Sequence, residues 1–365
     1  MSGAVRSRAA GWLRYRPLLS PRLVVSRRLT ALTLVGGIVT GLVVSTLFLL
    51  TQGLGLSDLY SQFVLYILAN PEGLDQTLTR AIPLILVGLS VAMCLKVRFW
   101  NIGVEGQLWM GAIAATAVSL YHIGPAGLRF YEMILAAAVA GGLWCGVCAV
   151  ARLHLRANEV ITTLLMNYVA YNLTQQLLYG PWRNPADGYP VSESLAPGER
   201  LALLGFGHVH AGLFIALGMA VFCWWLTGYS RAGILARAVA ANPAAAKAVG
   251  VKVNRLIILM TCLAGALSGL AGFCVVAGEE YKLTQFVGND FIFPSIVVAY
   301  LARANPLGVV AASLCIAGLY SAGDSLKAFY QLPGATVLTI EAALLLCVSA
   351  FEFFLSYQLT WVKPK

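Results

Sequence analysis

Long apolar runs separated by short polar breaks fill most of the 365-residue chain. Ten runs stand out, near 31–52, 77–97, 104–122, 131–150, 159–179, 211–228, 256–277, 288–302, 306–323 and 336–357. Most are about 18 to 22 residues long, enough for a helix to cross a ~30 Å hydrocarbon core. They lack the alternation over roughly ten residues that marks a barrel strand. The pattern predicts an all-α, polytopic integral membrane helical bundle of about ten transmembrane helices. The eighth run is short and interrupted by Pro294, so a partial or re-entrant helix is expected there. Residues 59–69, LYSQFVLYILA, read as a short amphipathic helix at the interface.

The polar breaks add detail. Residues 180–210 form a long loop carrying Pro181, Pro185, Pro190 and Pro197. Residues 229–255 form the longest break on the opposite side and hold five basic and no acidic residues. Within it, Asn242-Pro243 is a helix start signal, and a short helix from Pro243 to Val249, closed by Gly250, is expected.

Composition supports the membrane reading: 59% of residues are hydrophobic, 11% are charged, and mean hydropathy is +0.79. Soluble domains carry about 25% charged residues. A net charge of +10 does not point to nucleic acid, because the charge is not spread over one face. Seven arginines lie in the first 28 residues, and most other basic residues sit between apolar runs. With the N-terminus in the cytoplasm, 19 of the 25 Lys and Arg fall inside, while Arg80, Arg129, Arg183, Arg200, Lys282 and Lys327 fall outside. Of the 15 acidic residues 11 fall outside, Asp58, Asp75 and Asp290 among them. Ten crossings with both termini cytoplasmic fit this bias best. The layout is then a basic cytoplasmic tail over 1–30, one transmembrane domain over 31–357 and a cytoplasmic tail over 358–365. Ser26-Arg27-Arg28-Leu29 resembles a twin-arginine signal, but the run behind it reads as a first transmembrane helix.

Chemistry-bearing motifs are sparse. The eight cysteines all fall in or beside apolar runs, as small packing residues, and imply no disulfide. Cys145 and Cys148 lack a second ligand pair, and His208 with His210 makes a weak metal motif, so no metal site is expected. No catalytic arrangement stands out, and there is no phosphate-binding loop. The chain is therefore expected to be no enzyme and to bind no cofactor; if ATP drives it, ATP and magnesium sit on a partner chain.

Three polar or glycine-rich stretches are candidate sites. NIGVEGQ supplies Asn101, Glu105 and Gln107 with Gly103 and Gly106, either as a cytoplasmic surface loop or as polar groups at membrane depth. NEVITTLLMNY supplies Asn158, Glu159, Thr162, Thr163 and Asn167, either as bonds between helices or as pathway lining. AGALSGLAG places Gly265, Gly269 and Gly272 on one close-packing face. Pro83 and Pro294 could kink helices, and Glu341 and Glu352 are intramembrane carboxylates.

These stretches, with the loop RAVAANPAAAKAVGV and the later ANPLGVV, resemble ABC importer permeases of the ribose, branched-chain amino acid and nucleoside group. The likeness runs from about 30 to 357 and is nearest the longer permease of the nucleoside branch. It implies a type II-like importer: a second permease chain, usually a different one, two ATP-binding subunits inside and a solute-binding protein or lipoprotein outside. It also implies that Arg237, Asn242, Pro243, Ala246 and Gly250 form the coupling helix that seats in the ATPase. Asn101, Glu105, Gln107, Asn158, Glu159, Thr163 and Asn167 become pathway or gate residues. The expected activity is ATP-driven passage of a nucleoside or nucleobase across a bacterial inner membrane. A sugar or branched-chain amino acid permease is the alternative, and an ion-coupled secondary transporter a more distant one. The chain departs from the nucleoside branch at GNDFIFPSIVVAYLARANP, where a glycine-rich GFDGIAVALLG-like stretch is usual.

Overall fold

A computed structural model describes residues 16–22, 26–53, 55, 57, 60–288, 291–331 and 333–362. Asp58, Asp290, the basic residues before Arg16 and the Lys363 and Lys365 tail lie outside these. A helix occupies each of the ten apolar runs. They are α1 (Arg27–Thr51), α2 (Pro71–Leu95), α3 (Val104–Leu120), α4 (Arg129–Leu155), α5 (Glu159–Tyr179), α6 (Gly212–Tyr229), α9 (Val253–Val275), α10 (Ile292–Leu301), α11 (Pro306–Tyr330) and α12 (Gly334–Ser356). Two short helices, α7 (Arg231–Ala241) and α8 (Pro243–Ala248), lie between α6 and α9. Among the described residues six helices are long and apolar enough to cross a membrane: α1, α2, α4, α6, α9 with its π-helical extension to Glu280, and α11. The expected interfacial helix is a π-helical turn, Ser61–Tyr66, running into Ile67–Ala69.

The fold comprises two compact units. The first draws on the chain ends, up to Tyr60 and from Leu326. In it α1 packs along α12, and glycines permit the approach: a Cβ at Gly37 would lie 2.9 Å from Val348 Cα. Strands β1 (Arg16–Pro21) and β2 (Tyr357–Val362) pair antiparallel, from Arg16 opposite Val362 to Pro21 opposite Tyr357. Sequence patterning gave no sign of this ribbon. α12 carries Glu341 and Glu352, whose side chains lie outside the described set.

The second unit, Ser61–Ser325, is built around α9, which packs against α2, α3 and α4. Its glycine face has identifiable partners. A Cβ at Gly265 would sit 2.3 Å from Gly141 O, one at Gly269 2.1 Å from Ala137 O, and one at Gly272 2.1 Å from Leu108 O. A Cβ at Gly111 of α3 would lie 2.2 Å from Gly269 O, and one at Gly141 of α4 2.7 Å from Gly269 Cα. Backbone thus touches backbone where three helices cross, which is how small residues drive association in lipid.

Two expectations change. α2 begins at Pro71 rather than 77, because Asn70 caps it: Glu72 N–H donates to Asn70 Oδ1 at 2.9 Å. Arg80, counted above with the outer side although the run began at 77, lies nine residues into the helix. Pro294 breaks nothing, for it occupies the first turn of α10, where a missing N–H costs no intrahelical bond. At ten residues α10 spans about 15 Å, half a bilayer core.

Candidate functional site

One end of the second unit is closed by the 180–210 loop, which is tied to several helix ends. Asp75, in the first turns of α2, accepts from the backbone N–H of His208 (2.7 Å) and Val209 (3.1 Å). Leu195 N–H donates to Tyr281 O (2.8 Å), Leu201 N–H to Ala277 O (2.8 Å), and Trp182 Nε1 to the Tyr121 hydroxyl (2.9 Å). Glu199 accepts from Ser119 at the end of α3 and from Arg129 at the start of α4, the latter at 2.8 Å. Burial pushes its carboxyl upward, but the Ser119 and Arg129 hydrogen bonds and the guanidinium charge outweigh that and hold it below its ordinary value. The ring of His210 is fully buried, with Nε2 3.9 Å from Glu279 Oε1, and no cluster of metal-binding side chains occurs among the described residues.

At the other end the NIGVEGQ stretch forms a closed polar knot. Asn101 and Gln107 pair amide to amide, Asn101 Nδ2 donating to Gln107 Oε1 (3.1 Å) and Gln107 Nε2 to Asn101 Oδ1 (2.8 Å). Asn101 Oδ1 also accepts from Gly103 N–H at 3.0 Å. From α5, Asn167 grips the same backbone twice: Oδ1 accepts from Gly106 N–H (2.8 Å) and Nδ2 donates to Ile102 O (2.9 Å). Thr163 Oγ1 accepts from Ile102 N–H at 3.2 Å. Asn101, Gln107, Thr163 and Asn167 are all buried. The glycines are needed for this approach, since a Cβ at Gly103 would lie 2.9 Å from Thr163 O and one at Gly106 2.9 Å from Asn167 Oδ1.

Glu105 extends the knot to α10. Its Oε1 accepts from Phe291 N–H (2.9 Å) and Ile292 N–H (3.1 Å), setting a carboxylate at the helix N-terminus. Before α10 the chain passes Trp109 of α3 closely enough that a Cβ at Gly288 would lie 2.2 Å from its Nε1. Val287 and Gly288 of this non-helical stretch are buried. Asn158 and Glu159 stand apart from the knot. Asn158 caps α5, accepting from Val160 N–H at 2.9 Å, while Glu159 pairs with Arg152 of α4 at 3.4 Å. Of the seven expected pathway residues, the structure thus joins five in one net and sets two at the adjoining helix start.

The 229–255 segment has the expected form. Asn242 Oδ1 accepts from Ala244 and Ala245 N–H, and α8 starts at Pro243. Gly250 adopts φ +87°, with Gly250 N–H donating to Lys247 O (3.0 Å) and Val251 N–H to Ala246 O (3.1 Å), a Schellman closure. Val249 is exposed, Ala246 is buried, and Arg237 holds α7 to the end of α6 through Thr227 O at 3.1 Å. Burial lowers the Lys96 ammonium, just beyond α2, below its ordinary value, and the Arg237 charge adds to the effect.

A glycine-packed helical bundle with one half-length helix, a capped loop at one end and a basic helical segment between its spans defines a polytopic membrane permease. The family model described as the permease component of branched-chain amino acid transport systems matches residues 73–349, and the chain belongs to that family. It is 32% identical over 351 residues to the glucose ABC transporter permease protein TsgB13 of Haloferax volcanii, covering 93% of this chain and 92% of that one. The guanosine ABC transporter permease protein NupP of Bacillus subtilis is 30% identical over 332 residues, 90% of this chain and 94% of that one. The nucleoside ABC transporter permease protein NupB of Lactococcus lactis is 26% identical over 339 residues, covering 89% and 92%. The chain is an ABC permease subunit, one component of a transport system, and resembles permeases for both nucleosides and a sugar.

Proposed function

We propose that this subunit carries a nucleoside or nucleobase inward across a bacterial inner membrane, with ATP and magnesium bound on separate ATP-binding chains. The observation that carries the reading is similarity to the guanosine permease NupP over 90% of the chain. A sugar is the second reading, favoured by the 32% identity to the glucose permease TsgB13. The α7–α8 segment, with Arg237, Asn242, Pro243, Ala246 and Gly250, is the contact for the ATP-binding chains. Its basic charge and capped exposed helix support a cytoplasmic position. The β1–β2 ribbon brings the two strands at the chain ends together, which supports an even number of crossings between them. A second permease chain completes the pathway, and a solute-binding protein delivers solute at the 180–210 end.

In this reading the knot frames a gate. Asn101, Gln107, Thr163 and Asn167 fix the start of α3 against α5, and Glu105 holds the N-terminus of α10, so the broken crossing moves only when the knot moves. The test is uptake of labelled guanosine and labelled glucose into vesicles carrying the complete transporter, with and without ATP. ATP-dependent guanosine entry supports the proposal, and glucose entry alone selects the second reading. Solute entry that persists without the ATP-binding chains would overturn both in favour of a secondary transporter.

A further inference from the structure

α2 is enclosed by protein along most of its length: every residue from Ala81 to Cys94 is buried. Its exposed positions are Pro71 and Glu72 at the very start and Arg80, which lies nine residues past the start of the helix and so about 14 Å below its end. A lipid-facing stripe would fully expose positions three and four residues away, yet Thr77, Pro83 and Leu84 are buried and Gln76 is half-buried. The opening at Arg80 is therefore local. The Arg80 guanidinium pairs with the Asp324 carboxylate of α11, and the two side chains keep 44% and 41% of their surface exposed. Asp324 lies six residues before the end of α11, about 9 Å down the helix. One turn earlier on α11, the Tyr320 ring lies under the guanidinium at 5.7 Å. Beside the pair, the buried hydroxyls of Thr77 and Ser321 have no hydrogen-bond partner among the described residues.

Half-exposed charges at this depth are costly against lipid, and intramembrane ion pairs mark water-filled routes. We propose that Arg80, Asp324 and Tyr320 line the solute pathway in its outer half and form a transient binding site. The cation and anion balance, so the site does not select an ion. It offers a planar donor fork, an acceptor carboxylate and an aromatic face. That set suits a neutral, flat solute with both N–H donors and carbonyl acceptors on its ring, as a purine base presents. The class of solute rests on the proposed nucleoside function, whereas the place of the pathway does not.

The test uses the complete transporter in proteoliposomes, with Tyr320→Cys introduced beside Cys315→Ser. A charged, membrane-impermeant thiol reagent added outside is expected to label this variant at least fivefold faster than Cys315→Ser alone. Guanosine with the solute-binding protein should slow that labelling at least threefold. Asp324→Asn and Arg80→Gln should each lower guanosine uptake at least tenfold, and Arg80→Lys should recover part of it. If the Gln and Asn variants fail to assemble, Arg80→Lys and Asp324→Glu with the labelling assay carry the decision. Labelling no faster than background overturns the proposal, because the pair then faces lipid or another chain. Fast labelling unaffected by guanosine, with full uptake in Asp324→Asn, overturns the binding site. If the unaltered transporter takes up glucose and no guanosine, the solute reading fails, and labelling slowed by glucose still upholds the pathway.

Discussion

Asn167→Ala tests the polar knot most directly. Asn167 is buried on α5 and holds two backbone groups, Gly106 N–H in the first turn of α3 and Ile102 O just before that helix. Truncation leaves a buried donor and a buried acceptor without partners. Each costs about 1–3 kcal/mol, so the loss is about 2–6 kcal/mol. Asn158, nine residues earlier on the same helix, is an exposed N-cap whose removal costs about 1 kcal/mol. The ratio between the two is more robust than either figure. Unfolding of the solubilised chain in mixed detergent micelles, titrated with a denaturing detergent, measures both. Asn167→Ala is expected to lose at least twice what Asn158→Ala loses. Asn167→Asp keeps the acceptor for Gly106 but cannot donate to Ile102 O, and should fall no nearer to the unaltered chain than Asn167→Ala. Equal losses at Asn158 and Asn167 would refute the account of a closed, energetically coupled knot.

Gly269→Val places side-chain carbons where Ala137 O already lies 2.1 Å from the Cβ position, so α9 must move off α4. Overpacking of this kind costs about 1–3 kcal/mol or more, read in the same micelle titration, while Gly218→Val on α6, where nothing lies within 4 Å, should be near neutral. Gly250→Val meets no neighbour but strains a φ of +87°, about 1–2 kcal/mol, so expression should survive while ATP hydrolysis and uptake become uncoupled in vesicles. Normal coupling in that variant would remove α8 from the ATPase contact. The Glu199 clamp should depend on pH. Its folded carboxyl lies below the ordinary 4.5, so its contribution is complete at neutral pH and declines as pH falls through 4.5 toward the folded value. Hydrogen exchange over residues 180–210 should therefore rise with acid in the unaltered chain, and Glu199→Gln should flatten that response.

Three helix starts show what the sequence could and could not tell. Asn-Pro opens α2, α8 and α11, with Asn70, Asn242 and Asn305 each accepting from the backbone two residues on. The signal was read at Asn242, where the surrounding loop is polar and the helix had no rival explanation. At Asn70 hydropathy alone sets the start of that run at 77, six residues late, while the charge count places Arg80 with the outer side. The ten apolar runs were legible because lipid imposes one length and one composition on every crossing. The glycine face of α9 was visible as spacing, but its partners Gly141 and Gly111 come from other helices and needed coordinates. The sequence marks the polar residues of the knot by their cost at membrane depth, one of the two readings it allows for NIGVEGQ. Their pairing is hidden because it joins the backbone of Ile102 and Gly106 to residues of α5 some 61 to 65 positions away. The β1–β2 ribbon had no local signal at all.

That ribbon bears on how the molecule is made. Arg22 Nε reaches Tyr357 O across 335 residues, and α1 packs on α12. α1 must therefore wait for α12, about 300 residues later in synthesis, before it finds this partner. At roughly 5–20 residues per second the wait is on the order of 20–70 s. Until then the glycine flank of α1 at Gly36 and Gly37 has only lipid or a chaperone to cover it. The joining of the two ends is thus a late step of synthesis: a chain cut short before α12 leaves α1 without the helix it packs on.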